Sequence, residues 1–272
     1  MSKIGFIGAG NMASSLIGGL LKAEYKADDI RASDSSPVDK EKQLGVQVIN
    51  DNQAIADWAD IIVMAVKPQV LQSVCKQIAE HVRERDSLIV SIAAGIRSDT
   101  ITQWLGSNIA CIRVMPNTPA LVGLGMSGLY ANPQTSQAQI DTAREIMQTV
   151  GQVIQLNDES MIDAVTAVSG SGPAYFFLFM EAMIKAARQQ GLSEDDARSL
   201  VLQTALGAAT MAIQSDVDTE ELRHRVTSPG GTTERAIQTM QDNNIMQSIS
   251  DAIDAAARRS VELSNELAGD NQ

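Results

Sequence analysis

Along the first half of the chain, short unbroken apolar runs alternate with stretches in which apolar residues recur every three or four positions. The runs at 3–8 (KIGFIG), 30–34 (IRASD), 60–66 (DIIVMAV), 87–92 (SLIVSI) and 108–114 (NIACIRV) predict buried strands. A short strand is expected at 46–49 (VQVI), and two more at 125–131 and 152–156. Between them, 11–23, 37–44, 69–83 and 136–150 read as helices, with another short helix between the strands at 87–92 and 108–114. Strands alternating with helices give a mainly parallel sheet covered on both faces.

After about residue 158 the rhythm changes and no strand pattern recurs. Residues 161–191 form a long apolar helical stretch interrupted by SGSGP at 169–173. The stretch 193–214 opens with Ser193 and Asp196 in capping-box spacing and then runs amphipathic. A short helix is expected over 231–242. A last one, over 244–267, carries Ile245, Ile249, Ile253, Ala256 and Ala257 on one face. The expected architecture is therefore a doubly wound α/β domain of Rossmann type over 1–158, followed by an all-α domain over 159–272. The helix containing AYFFLFMEAM (174–183) is apolar almost all round and must be covered on every side. Either a subunit interface or a deep monomeric core would cover it.

Composition narrows the chemistry. Of 272 residues 44% are hydrophobic but only 3% aromatic, so the core is aliphatic. The net charge of −12, with no basic run, argues against nucleic acid or an anionic membrane as a partner. Cys75 and Cys111 lie in apolar patterns and read as reduced, buried thiols. Their spacing matches no zinc pattern, and His81 and His224 sit among charged residues, so no metal site is expected. The chain enters a strand at Lys3, leaving no room for a signal peptide, and no apolar run reaches the ~18 residues of a membrane span. A soluble, cytoplasmic protein is expected.

Two glycine loops carry the candidate chemistry. In GFIGAGNMA, the residues Gly8, Gly10 and Ala13, with Asn11 and Met12 between them, form G-x-G-x-x-A between a strand and a helix. That arrangement lets a pyrophosphate approach the backbone. Asp34 ends the next strand, where an acidic residue accepts from adenosine ribose hydroxyls and disfavours a 2′-phosphate. Ser33, Ser35 and Ser36 flank it and would suit a phosphate, so the turn is ambivalent between NAD and NADP; Asp34 could equally be an exposed turn residue. AVKP (65–68) places Lys67 at the carboxyl edge of the sheet, facing either a cofactor or solvent. AAG (93–95) and MPNTP (115–119) end the following strands and would put small residues and Asn117 around the nicotinamide. The second loop, TSPGGTTERA (227–236), has the make-up of a small anion site. Backbone N–H groups of Gly230, Gly231, Thr232 and Thr233 could cradle a substrate carboxylate, or the loop could be an ordinary helix cap.

GFIGAGNMA, AVKP, SIAAG, RVMPNTPALVGLGM, SGSGPAY and TSPGGTTERAI occur in this order over essentially the whole chain. Together they resemble the Δ1-pyrroline-5-carboxylate reductase family. The resemblance implies reduction of the cyclic imine to L-proline by NADPH, with NADH also possible. It implies a Rossmann domain and a helical domain that dimerises by interlocking. It further implies that the SPGGTT loop of one subunit completes the site of the other, in some cases within a ring of five dimers. By the same resemblance Asn52, Val66, Lys67 and Ala94 match cofactor-contacting positions; with Pro68, the loop residues Gly8, Gly10, Asn11, Met12 and Ala13 and the turn Ser33, Asp34 and Ser35 they make up the expected cofactor site. Ser228, Gly230, Gly231, Thr232 and Thr233 match the substrate loop, and the Thr233 hydroxyl matches the group that bonds the ring nitrogen. Ser171 is expected to face the same pocket. Asp34 departs from the small hydroxyl residue often found at its position, and Asp216 falls where some relatives carry a glutamate near the substrate.

The chemistry asks little of side chains: a protonated imine is already a good hydride acceptor, and alignment does most of the work. No histidine lies in a candidate loop, and Thr233 reads as an orienting group rather than a proton donor. Two alternatives stand beside this. A β-hydroxyacid dehydrogenase would use a lysine and an amide one turn on, a spacing met by Lys185 and Gln189. A non-catalytic NAD(P) sensor would bind the dinucleotide without imine-dependent oxidation.

Overall fold

The computed structural model describes residues 2–106 and 108–269. In chain order the first part contains β1 (Ile4–Ile7), α1 (Asn11–Lys22), β2 (Ile30–Ser33), α2 (Pro37–Leu44), β3 (Gln47–Ile49), α3 (Asn52–Trp58) and β4 (Ile61–Met64). There follow α4 (Pro68–Arg85), β5 (Leu88–Ser91), α5 (Ser98–Leu105), β6 (Cys111–Met115), β7 (Gly125–Ala131), α6 (Gln137–Gln148) and β8 (Gly151–Gln155). The eight strands form one sheet in the order β3-β2-β1-β4-β5-β6-β7-β8. All neighbours are parallel except β6 and β7. Order reverses between β1 and β4, which opens a crevice at the carboxyl ends of those two strands.

Strand pleating divides the core between the two faces. Ile61 and Val63 of β4 join Ile4 and Phe6 beneath α1 and α6, where Leu16, Ile17, Leu20, Ala143 and Ile146 are buried. Ile62 and Met64 join Ile7 and Ile89 on the other face, against Ile55 of α3, Leu71, Cys75 and Ile78 of α4 and Ile101 of α5. Every β4 residue is buried, which is why its sequence is an unbroken apolar run rather than an alternating one.

Helix α3 is absent from the sequence reading. It is only seven residues long, and its start is set by Asp51, whose carboxylate accepts from the N–H groups of Gln53 and Ala54.

After β8 come α7 (Met161–Val165), a single π-helical turn (Thr166–Gly170) and α8 (Gly172–Gln189). SGSGP thus leaves the helical path in place and widens one turn. Then follow α9 (Glu194–Gln214), α10 (Thr219–Arg225), α11 (Thr232–Asp242) and α12 (Ile245–Gly269). The Ser193 hydroxyl accepts from Asp196 N–H at 3.1 Å and caps α9. The seven-residue α10, capped by Asp218, also escapes the sequence reading. No described helix is long and apolar enough to cross a membrane.

Contacts divide the chain into two compact units, 1–171 with 256–272, and 172–255. The boundary read from the sequence at 158 falls inside the first of these. In that unit the second half of α12 packs back on the sheet domain. Ser260 donates to Asp163 at 2.6 Å, and Leu267 lies against Gly95.

Candidate functional site

The carboxyl edge of the sheet gathers most of the residues singled out from the sequence. Gly8 follows β1 with φ +96°, and a β-carbon there would come within 2.8 Å of the Ala65 carbonyl oxygen. Glycine is required both for the turn and for the close passage of β4. Gly10 has nothing within 4 Å of where its β-carbon would stand, so the space beside it is open. Ser14 N–H bonds to Gly10 C=O and begins the α1 ladder. The N–H groups of Asn11, Met12 and Ala13 therefore have no partner among the described residues and point out of the helix start. Open space, free donors and the positive end of a helix fit a dinucleotide pyrophosphate.

The adjoining turn is more tightly tied than the sequence suggests. Asp34 Oδ2 accepts from Ala9 N–H at 3.3 Å and Oδ1 from Ser36 N–H at 2.9 Å. Asp34 therefore clasps the glycine loop, which removes the exposed-turn alternative. Ser33 is buried and donates its hydroxyl to Asn52 Oδ1 at 2.7 Å, while Asn52 Nδ2 donates to Gln77. Of the flanking hydroxyls, Ser35 and Ser36 remain exposed. Lys67 is exposed at the N-terminus of α4, between the half-buried Val66 and Pro68, and Ala94 is exposed beyond the end of β5.

Asn117 stands just past the end of β6. Its Oδ1 accepts from Met126 N–H at 2.8 Å, and its Nδ2 donates to Ser169 C=O at 3.0 Å. Both ends of the amide are thus engaged within the protein. Ser171 directly follows the π turn, its N–H bonded to Thr166 C=O at 2.8 Å.

The second glycine loop lies in the helical unit, at the start of α11. Gly230 has φ +72°, and Gly231 is the cap residue. Only part of the expected cradle is open. Gly230 N–H donates to Glu234 Oε2 at 2.8 Å, and Gly231 N–H to Ser228 C=O at 3.0 Å. The chain itself closes these two donors, leaving Thr232 and Thr233 exposed, with their N–H groups and hydroxyls unpartnered among the described residues.

Three further features were not visible in the sequence. Arg113 and Glu159 form a buried ion pair at 3.2 Å. Glu159 also accepts from the Ser98 N–H and hydroxyl, both at 2.7 Å, and so ties β6 to the start of α5. Glu234 reaches back over the α11 cap. The open depression of about 570 Å³ lined by Arg31, Glu41, Lys42 and Gln47 lies at the amino edge of the sheet, away from the first glycine loop.

Cys75 and Cys111 are buried free thiols. Burial pushes Cys75 up to about 12, and burial together with the Glu159 charge pushes Cys111 up as well. Neither is a nucleophile near neutral pH. Among the described residues no group of three or more His, Cys, Asp or Glu could hold a metal.

Residues 159–263 match the pyrroline-5-carboxylate reductase dimerisation family, and residues 3–95 match the family described as NADP oxidoreductase coenzyme F420-dependent. The chain is 51% identical over 269 residues to a pyrroline-5-carboxylate reductase of Pseudomonas aeruginosa, covering 97% of this chain and 98% of that one. Its fold is similar to the structure of a pyrroline-5-carboxylate reductase from Coxiella burnetii, with a TM-score of 0.92, 41% identity and coverage of 96% and 98%. It is also similar to a Plasmodium falciparum pyrroline carboxylate reductase with NADP bound, with a TM-score of 0.87, 31% identity and coverage of 97% and 98%.

Proposed function

The chain belongs to the pyrroline-5-carboxylate reductase family, and we propose that it reduces the C=N bond of 1-pyrroline-5-carboxylate to give L-proline in an NAD(P)H-dependent reaction. The observation that carries the reading beyond family membership is the second loop. The first loop already fits a dinucleotide, and Thr232 and Thr233 present further unpartnered donors at the head of α11. A small anionic substrate accounts for them.

The dinucleotide, when bound, supplies the hydride. The backbone N–H groups of Asn11, Met12 and Ala13 hold its pyrophosphate, with Gly8 and Gly10 giving access. Asp34 and Ser35 meet the adenosine ribose; Val66, Lys67, Pro68 and Ala94 line the way to the nicotinamide, and Asn52 holds Ser33 in place. The N–H groups of Thr232 and Thr233 hold the substrate carboxylate, aided by the α11 dipole. The Thr233 hydroxyl accepts from the protonated ring nitrogen and fixes the imine carbon in line for transfer. The imine arrives protonated, so addition of hydride at carbon completes the amine without a general acid.

Functionally, 1–158 serves as the dinucleotide domain and 159–272 as the dimerisation and substrate domain. The loop of one subunit completes the site of its partner, within a dimer or a ring of five dimers, in the cytoplasm. Oxidation of NADPH and NADH is measured with 1-pyrroline-5-carboxylate and with a β-oxo acid, the oxidised partner of a β-hydroxyacid, and the product formed from the imine is identified as proline. Imine-dependent oxidation is expected. Oxidation absent with the imine, or present only with the hydroxyacid's ketone, overturns the assignment.

A further inference from the structure

A helix interior pairs each carbonyl with the N–H four residues on. At Ser169 that partner is Pro173, which has no N–H. The carbonyl is instead satisfied from outside the helix by Asn117 Nδ2 at 3.0 Å. The same side chain accepts from Met126 N–H at the start of β7. Asn117 itself stands just past the end of β6, at the carboxyl edge that holds the first glycine loop. One amide thus joins the edge of the sheet, β7 and the π turn.

The packing around it leaves little slack. A β-carbon on Gly170 would come within 2.7 Å of Met115 Cε, and one on Gly128 within 2.8 Å of the Val165 methyls. The π turn is seated directly on β6 and β7, with Ser171 as the next residue. Widened helical turns of this kind are frequent at functional sites.

We infer that Asn117 is a positioning residue: it supplies the hydrogen bond that Pro173 cannot, and so holds the π turn and Ser171 at the dinucleotide edge of the sheet. This rests on the reading of the chain as an imine reductase. It assigns Asn117 to the imine side of the reaction, through Ser171, and not to cofactor contact.

The test compares Asn117→Ala, Asn117→Asp and the double variant Asn117→Ala with Pro173→Ala, which returns an N–H to position 173. Activity of the parent on the imine tests the reductase reading separately. If the parent is inactive that reading fails, and the backbone measurement below still decides the role of Asn117. Asn117→Ala is expected to lower kcat/KM for the imine by roughly tenfold or more, with NADPH affinity within about twofold of the parent. Hydrogen exchange over 165–176 should quicken in Asn117→Ala and slow again in the double variant, with partial return of kcat/KM. Asn117→Asp should be as impaired as alanine at pH 8. It should recover relative to the parent as pH falls toward 5, because a protonated carboxyl can again donate to Ser169. Loss of NADPH affinity with imine kinetics intact overturns the inference, as does unchanged exchange in Asn117→Ala or a double variant no better than the single. If Asn117→Ala does not fold, the pH profile of Asn117→Asp relative to the parent carries the test, and a flat ratio overturns it.

Discussion

In the sheet unit both faces of the strands are closed by helices, and Phe6, Leu16, Ile62 and Met64 are fully buried. Between Gly172 and Ala255, by contrast, only Gly172, Ala197 and Val201 are buried. Phe176, Phe177 and Leu178 are 68%, 64% and 66% exposed, and Leu206, Met211 and Ile213 are exposed on α9. Both regions are rich in aliphatic residues, so composition does not separate them. One has its hydrophobic surface matched within the chain; the other has only half of a core. Patches this large on a soluble protein mark an interaction surface. The match of residues 159–263 to a dimerisation family supports a partner subunit as its cover. The sequence reading left a deep monomeric core and a subunit interface open for α8, and the structure removes the first, because a single chain leaves that helix bare.

The largest effect should follow from placing a charge on the bare face. Phe177→Asp buries an unpaired carboxylate in the assembled protein, a cost of roughly 3–5 kcal/mol. Sedimentation at micromolar concentration should show monomer, and reductase activity should fall with assembly. A fully active monomer would break the comparison, since the helical unit would then function half-covered.

Thr233→Ala probes chemistry in the helical unit. Removing a hydrogen bond to a charged nitrogen should lower kcat/KM for the imine by ~10- to 100-fold, about 1.5–3 kcal/mol. NADPH affinity should be unchanged. If the variant instead weakens NADPH binding and spares imine kinetics, the two loops have been assigned the wrong way round.

Asp34→Ser is the reciprocal experiment in the sheet unit. If Asp34 meets the ribose as proposed, removing its carboxylate should lower KM for NADPH relative to NADH by roughly three- to tenfold, about 1 kcal/mol, with imine KM unaffected. An unchanged ratio would leave Asp34 as a clasp for Ala9 N–H and nothing more.

A further effect belongs to the closed core alone. Cys75 is raised from 9.0 to about 12 by burial, so the folded thiol stays protonated where the unfolded one ionises. Its contribution to stability is complete below about pH 9 and is lost as pH rises toward 12, by at most ~1.4 kcal/mol per pH unit. Urea midpoints at pH 8 and pH 10 should therefore differ less in Cys75→Val than in the parent. Equal alkaline losses in the two proteins would count against burial as the cause.

What could be read in the sequence was whatever depends on periodicity or contiguity. β4 and β7, α2 and α11, and both glycine loops are local patterns, and they fell where the patterns put them. The short helices α3 and α10 lack the length for periodicity, although Asp51 and Asp218 were there as cap signals. Partnerships across long separations left no local trace. Arg113 and Glu159 read as separate charges until the fold buries them together, and Asn117 read as a polar group at a ligand edge until Ser169 and Met126 took up its amide. By composition the loop at 227–236 read as an anion site or an ordinary helix cap, and which of its donors stay free depends on Glu234 and Ser228, and hence on rotamer and turn geometry.

Helix α12 begins in one compact unit and ends in the other, so residues 172–255 are an insertion within a unit whose covering segment comes later in the chain. During synthesis the eight strands are complete long before Leu267 exists to pack beside Gly95, and the bare helices emerge in the interval. The order of manufacture therefore exposes the sticky half-core while the sheet domain still lacks its last cover, a period in which chaperone occupancy or early pairing of nascent chains would be favoured. For the same reason a chain cut at residue 158 or 171 would lack part of the sheet unit; joining 171 to 256 by a short linker is the arrangement that respects how this chain is threaded.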